Sequence, residues 1–228
     1  MPRKTALPRM WWTRGRPFSL AELIADGVVH GIGLAVAVAL GTVLLVFAGL
    51  QTAPTAMPAL IVYVATLLAV LGISMAFNLW PPASPGKRTL ARLDQAAIFL
   101  LIAGTYTPFL VYLGPSPLTI SLGIVVWVAA LTGVALKLLI PHRFGRGALL
   151  LYLGIGWSGV LMLPALVTHL PPVALWLLLG GGVTYSVGVI FHVWEKLNFH
   201  NAVWHGFVVV AASLQLVAVL DAMVLSRL

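Results

Sequence analysis

The sequence predicts an all-α membrane protein, a seven-transmembrane-helix bundle with its N-terminus in the cytoplasm and its C-terminus outside. Three observations support this fold class. The 228 residues are 61% hydrophobic and only 8% charged, with a mean hydropathy of +1.06, whereas soluble domains carry about a quarter charged residues. Apolar blocks of the roughly 20 residues that cross a bilayer recur along the chain. Lysine and arginine are largely confined to alternate connections between these blocks.

The apolar blocks are separated by short segments rich in proline and glycine, which favour turns and end helices. None of these connections is long enough to form a soluble domain. We therefore expect a basic cytoplasmic tail over residues 1–18 and a single transmembrane domain over residues 19–228. The predicted spans are 23–50, 57–80, 92–113, 118–140, 147–169, 173–194 and 201–225.

The start of the first span carries a polar pattern. Ser19 followed by Glu22 predicts a capping box, in which each residue bonds the backbone N–H of the other. Glu22, Asp26 and His30 are spaced by four residues, so they share one face of the helix. The pattern leaves open whether that face joins a polar cavity or contacts a neighbouring helix.

The distribution of basic residues predicts the orientation. Twelve of the 13 lysines and arginines lie in the N-terminal tail or at the connections after the second, fourth and sixth spans, counting the adjoining ends of those spans, and only Arg227 lies on the other side. Basic residues are retained in the cytoplasm, which places the N-terminus there. The net charge of +8 therefore reflects topology and does not indicate a nucleic-acid partner. With no cysteine, disulfides and thiolate metal sites are excluded.

Strongly polar residues recur at the predicted cytoplasmic ends of several spans. Asp94 opens the apolar part of the third span, and a carboxylate there is a candidate functional residue by default. Ser74 and Asn78 end the second span, while Asn201 and His205 begin the seventh, and each pair has the spacing that shares a helix face. Their convergence predicts one site. Hydrogen bonding that simply holds helices together is the alternative.

Several longer motifs occur in order along nearly the whole chain, among them Ser19–Glu22, His30–Gly33, Ala103–Phe109 and Trp204–Val208. With these motifs the sequence resembles the haemolysin III family of bacterial seven-helix membrane proteins, which is related to the progestin and adipoQ receptors. The resemblance implies a cytoplasm-facing zinc site, proposed for hydrolysis of a lipid amide in the receptor-like relatives. In that pattern three histidines bind zinc, and an aspartate on the third helix holds the metal-bound water.

At the three positions where the family has its zinc ligands, this sequence has Asn78, Asn201 and His205, while the aspartate is Asp94. Amide oxygens suit Ca²⁺ or Mg²⁺ better than zinc. His200 directly precedes Asn201 and could replace it if the helix began after His200. We therefore expect a degenerate zinc site. Its candidate metal positions are His205, His200, Asn78 and Asn201, and its candidate catalytic residues are Asp94, Ser74 and His205.

We expect a multi-pass protein of the bacterial inner membrane that has membrane lipids as its partners. Its expected role is in lipid or membrane-state homeostasis through a cytoplasm-facing polar cavity. Two mechanisms stay open at this point. Asp94 and His205 could activate water against a lipid amide or ester, with or without a metal ion. Alternatively, Ser74, Asn78, Asn201 and His205 could form a hydrogen-bonded network in a lipid receptor that catalyses nothing. A pore-forming toxin, which the family name suggests, has no support from an amphipathic insertion segment or a secretory signal.

Overall fold

The computed structural model describes residues 18–52, 54–81, 84–140 and 145–227. The regular elements in these ranges are helices, and seven of the helical segments are long and apolar enough to cross a membrane. The predicted all-α fold with seven spans is thus confirmed. The helices are α1 (Leu20–Gln51), α2 (Met57–Leu79), α3 (Gly86–Leu113), α4 (Pro117–Leu139), α5 (Gly145–Trp157), α6 (Leu163–His169), α7 (Pro172–Val193) and α8 (His200–Met223).

Three short 3-10 turns complete the fold, at Pro54–Ala56, Ser158–Met162 and Leu225–Arg227. The fifth span consists of α5, the second of these turns, and α6. Most of the predicted basic tail, residues 1–17, lies outside the described residues, as do residues 141–144 with the basic Arg143.

Neighbouring helices in the chain pack against each other from α1 to α4, and α8 packs against both α7 and α1. The last helix therefore lies beside the first. This closure brings the N-terminal ends of α1 and α8 together, and with them the polar residues that the sequence places there.

The predicted capping box at the start of α1 is confirmed. The backbone N–H of Ser19 donates to Oε2 of Glu22 at 2.8 Å, and the N–H of Glu22 donates to Oγ of Ser19 at 3.3 Å. The other carboxylate oxygen of Glu22, Oε1, accepts from the backbone N–H of Phe199 at 2.8 Å. Glu22 therefore joins the start of α1 to the residue that precedes α8.

Helix α3 begins at Gly86, nearly two turns before residue 92, the start that hydropathy predicted. Lys87 in its first turn is buried, and its Nζ donates to the carbonyl oxygens of Phe77, Asn78 and Trp80 at the end of α2. A lysine can satisfy the last carbonyls of a helix in this way. The connection from α2 to α3 is consequently tight, and it fixes Asp94 relative to the end of α2.

The fifth span is interrupted where Tyr106 of α3 reaches it. The Tyr106 hydroxyl lies 2.8 Å from the carbonyl oxygen of Ile155 and 2.9 Å from that of Gly156, and it accepts from the N–H of Gly159 at 2.5 Å. Backbone N–H and C=O groups that lose their helical hydrogen bonds inside a membrane need other hydrogen-bond partners. Pro164 near the start of α6 lacks an N–H and is compatible with the break.

Candidate functional site

Polar side chains from α1, α2, α3 and α8 meet at the end of the bundle where α1 and α8 begin. We call this group, made of Asp26, His30, Ser74, Asp94 and His205, the polar cluster. Its members from α1 and α8 are nearly inaccessible: Asp26 and His30 are each 1% exposed and His205 is 8% exposed. The four-residue spacing of Asp26 and His30 places both side chains on one face of α1, and the hydrogen bond between Asp26 and His205 shows that this face meets α8.

A short hydrogen bond in the polar cluster joins α1 to α8. Nδ1 of His205 donates to Oδ1 of Asp26 at 2.6 Å, a charge-assisted hydrogen bond between two buried groups. This contact fixes the orientation of the His205 ring. It also places a proton on Nδ1, so that Nε2 is the ring nitrogen through which protons can be exchanged.

His30 is held by the same residue. Its Nδ1 donates to the backbone carbonyl oxygen of Asp26 at 2.8 Å, one helical turn earlier. The rings of His30 and His205 lie edge to face with their centroids 4.3 Å apart. Two imidazoles and one carboxylate are therefore packed together in the interior of the bundle.

One atom of the polar cluster lacks a hydrogen bond. Oδ2 of Asp26 is buried and has no hydrogen-bond partner within the described part of the chain. Nδ1 of His30 lies 3.6 Å from this oxygen, beyond hydrogen-bond distance. One ligand atom from each of Asp26, His30 and His205 can be chosen so that all lie within 4.8 Å of one another, and the group could hold a metal ion.

Asp94 and Ser74 form the second part of the polar cluster. The Ser74 hydroxyl donates a hydrogen bond to the Asp94 carboxylate, and Asp94 lies within electrostatic range of His205, Asp26 and Lys87. The structure thus brings together the three residues that the sequence proposes as catalytic, Asp94, Ser74 and His205.

The two asparagines at the family's metal positions contact each other. Nδ2 of Asn201 donates to Oδ1 of Asn78 at 3.1 Å. Nδ2 of Asn78 donates to the carbonyl oxygen of Ser74 at 2.8 Å and lies 3.4 Å from its Oγ. The amides are therefore committed to a bridge between α2 and α8. These residues do not fit the zinc site of the resemblance, because only His205 among the three ligand positions is a histidine, and the neutral amide oxygens of Asn78 and Asn201 suit Ca²⁺ or Mg²⁺ better than zinc.

His200 is the first residue of α8 and is buried. Its ring contacts that of Phe18, with the centroids 5.6 Å apart. His192 near the end of α7 packs its ring against Trp204, with the centroids 4.9 Å apart. Neither histidine belongs to the Asp26, His30 and His205 group among the described residues.

A narrow crevice continues from the polar cluster toward the middle of the bundle, between α1, α2 and α8. It is lined by small and branched apolar side chains and is too narrow to admit a water molecule. The cytoplasm-facing polar cavity that the sequence predicts stays a prediction. The crevice is lined by Gly33, Ala37, Leu67, Leu71, Val209, Ala212, Ser213 and Leu216.

The fold and the site together define a class: a multi-pass membrane protein of seven helices with a buried polar cluster at one end. Comparison with known proteins gives the family. A family model described as Haemolysin-III related matches residues 18–216. The chain therefore belongs to the haemolysin III family, as its motifs predict.

Individual relatives agree. The chain is 36% identical over 200 residues to Hemolysin-3 of Bacillus cereus, a match that covers 87% of this chain and 90% of that protein. It is 35% identical over 194 residues to the Hemolysin-3 homolog of Bacillus subtilis, covering 84% and 89%. A more distant similarity, 28% over 129 residues, connects it to the human monocyte to macrophage differentiation factor, covering 55% of this chain and 52% of that protein.

The sequence places Asp26 and His30 on one helix face but does not identify them as residues of the candidate site. The sequence does not show which neighbouring helix that face contacts. The only signal in the sequence was the four-residue spacing beside a capping box, and it becomes decisive only when α8 is known to pack against α1.

Proposed function

We propose that this protein acts on lipids of the bacterial inner membrane, in membrane-lipid homeostasis, as a hydrolase of lipid amide or ester bonds. The observation that supports the proposal is the meeting of Asp94 and His205, two groups able to move protons, at one site inside a membrane-spanning bundle. Ionisable residues at such depth are unfavourable and are usually retained for function. The proposal requires no metal ion for proton transfer.

The proposed reaction is general acid–base hydrolysis. Asp94 accepts a proton from a water molecule as the water oxygen bonds to the acyl carbon of the lipid. The bond from that carbon to nitrogen or oxygen then breaks as His205, protonated on both ring nitrogens, donates its Nε2 proton to the leaving amine or alcohol. The proton on Asp94 then returns to His205. The products are a fatty acid and the remainder of the lipid.

Asp26 and Ser74 act as positioning residues in this scheme. Asp26 holds Nδ1 of His205 at 2.6 Å, so Nε2 is the nitrogen that exchanges protons with the substrate. Ser74 donates to the Asp94 carboxylate, which restrains its rotation. A general acid and a general base that are already oriented need little rearrangement on the way to the transition state.

The orientation of the chain is part of the proposal. With the N-terminus in the cytoplasm, the polar cluster lies in the cytoplasmic part of the bilayer and can receive water from that side. The Lys87 side chain at the same end adds a positive charge near the site. We expect lipid substrates to enter from the inner leaflet.

The test is hydrolysis by purified protein in liposomes that contain fluorescent lipid amides and esters. We expect Asp94→Asn to lower the rate at least about 100-fold, as the loss of a general base does, while Asp221→Asn keeps the wild-type rate. Asp221 is a matched control, because it is an aspartate near the opposite end of α8. A wild-type rate for Asp94→Asn in correctly folded protein would contradict the proposal.

A lipid receptor without catalytic activity is the second candidate. It is favoured by the bridge in which Asn201 donates to Asn78 and Asn78 donates to Ser74, since this bridge satisfies the polar groups without a reacting partner. In the same preparation, a lipid that co-purifies with the wild type and is never hydrolysed would favour the receptor over the hydrolase.

A further inference from the structure

We propose that the start of α3 and the end of α4 form a binding site for the phosphate group of an anionic phospholipid, and that Arg92 is the residue that holds it. The inference is independent of the proposed hydrolysis, because it concerns a different face of α3. It rests on a guanidinium group with few acceptors, on a second cation at the same helix contact, and on an exposed apolar face of α4.

The first observation concerns the guanidinium group of Arg92. Its Nη1 donates to the carbonyl oxygen of Leu138 at 3.5 Å, and its Nε is buried without a hydrogen-bond partner in the described part of the chain. A guanidinium group has five N–H donors, and a buried donor without an acceptor is unfavourable, more so when it is charged. A contact of 3.5 Å is weak, so the side chain can rotate to present Nε to a ligand while losing little.

Arg92 points away from the polar cluster. Arg92 and Asp94 are two positions apart, so their side chains lie about 200° apart around α3. Asp94 accepts from Ser74 and interacts electrostatically with Lys87 and with the histidine and aspartate of the polar cluster. The chain has five acidic residues against 13 lysines and arginines. This balance favours an anionic ligand over an internal ion pair as the partner of Arg92.

A second cation lies at the same contact between α3 and α4. Lys137, one residue before Leu138, is 2% exposed, and its Nζ donates to Oε1 of Gln95 at 2.7 Å. Gln95 is three positions after Arg92 and shares its side of α3. The backbone carbonyl oxygen of Gln95 accepts from the Tyr152 hydroxyl at 2.7 Å, which joins α5 to this contact. Because a buried charge is screened little, Lys137 adds to the positive potential around Arg92.

The position of Arg92 favours a phospholipid over free phosphate. Hydropathy places the start of the third span at residue 92 and the end of the fourth at residue 140, so Arg92 lies where the apolar layer meets the lipid headgroups. Arginine binds phosphate oxygens through paired hydrogen bonds, and basic sites between membrane helices suit anionic headgroups. Next to this contact, α4 has an exposed apolar face along which acyl chains can lie. Its residues include Ile124, Val128, Leu131 and Leu139.

The test is native mass spectrometry of detergent-purified protein titrated with dioleoyl phosphatidylglycerol or with dioleoyl phosphatidylcholine, which has the same acyl chains and no net charge. We expect the wild type to bind one phosphatidylglycerol at least about 10-fold more tightly than phosphatidylcholine. Arg92→Gln should lose about that factor, the effect of roughly one charge-assisted hydrogen-bonded pair. Lys196→Gln is the matched control and should keep the wild-type affinity, because it removes an exposed cation from the connection between α7 and α8 at the same end of the bundle.

A second variant and two further outcomes keep the test decisive. Arg92→Lys retains the charge and loses the paired donors, so its affinity for phosphatidylglycerol should lie between those of the wild type and Arg92→Gln. Equal affinity of the wild type for the two lipids would overturn the inference, whether or not the variants fold. Equal losses in Arg92→Gln and Lys196→Gln would also overturn it, since they would reflect net charge alone.

Inorganic phosphate separates the two sources of a phosphate group. Displacement of phosphatidylglycerol from the wild type by millimolar inorganic phosphate would identify a site for the free anion and overturn the assignment to a lipid. None of these measurements depends on lipid hydrolysis, so failure here and failure of the hydrolase proposal are distinguishable.

Discussion

At the scale of single residues, Asp26 is the member of the polar cluster that contacts both of its histidines. Its carbonyl oxygen holds His30, its Oδ1 holds His205, and its Oδ2 has no hydrogen-bond partner among the described residues. The sequence could show that Asp26, His30 and Glu22 share a face. It could not show that His205 lies opposite them, because that contact joins residues 179 positions apart.

The sequence predicted that certain polar residues lie close together, because they share a helix face or lie at the ends of predicted spans. Ser74, Asn78, Asp94, Asn201 and His205 all lie at the predicted end of the bundle, and the contacts among them cross α2, α3 and α8. The sequence did not show which of these residues form hydrogen bonds with each other. Asn78 hydrogen-bonds to Asn201, whereas His205 hydrogen-bonds to Asp26. Which pairs form depends on how each helix is rotated about its own axis.

Two adjacent glycines of α7 give a prediction at the residue scale. A Cβ on Gly181 would lie 2.7 Å from Cγ of Gln215 and 3.1 Å from the carbonyl oxygen of Ala211, whereas a Cβ on Gly180 would meet nothing within 4 Å. We expect Gly181→Ala to destabilise the protein by about 1–3 kcal/mol, because the added methyl group would overpack the contact between α7 and α8. Unfolding in detergent, followed by circular dichroism, measures the change.

Gly180→Ala is the control for that prediction. Alanine has a higher helix propensity than glycine by roughly 1 kcal/mol, so this variant should be as stable as the wild type or slightly more stable. Equal stability of the two variants would show that α7 and α8 do not pack as the structure describes.

At the scale of elements, hydropathy predicted the seven spans well because each must cross the same apolar layer. The residues at which each helix begins and ends depend instead on individual contacts, some within the helix and some with other helices. The start of α1 was predictable from Ser19 and Glu22, whose bonds are local. The start of α3 and the break in the fifth span were not, because Lys87 and Tyr106 act on carbonyl groups of other helices.

At the scale of the whole molecule, the orientation in the membrane is predicted from charge and can be tested directly. The chain has no cysteine, so a single introduced thiol reports one position. Gln51 at the end of α1 and Thr89 in the first turn of α3 are both exposed and lie at opposite ends of the bundle. In intact cells, an impermeant maleimide should label Gln51→Cys but not Thr89→Cys.

Thr89→Cys should become labelled once the membrane is permeabilised, which controls for a thiol that is simply unreactive. The reverse pattern, with Thr89→Cys labelled in intact cells, would place the polar cluster on the outside. The proposed entry of water from the cytoplasm would then be wrong.

The central claim is that the polar cluster is retained for chemistry and not for holding helices together. The most direct measurement is the thermal unfolding midpoint of Asp94→Asn. An asparagine oxygen can still accept the Ser74 hydrogen bond, and the charge of a half-buried carboxylate, which is unfavourable among apolar helices, is removed. We therefore predict a midpoint equal to or above that of the wild type. A fall of more than about 4 °C, which corresponds to roughly 1–2 kcal/mol in a chain of this size, would contradict the claim and identify Asp94 as a structural residue.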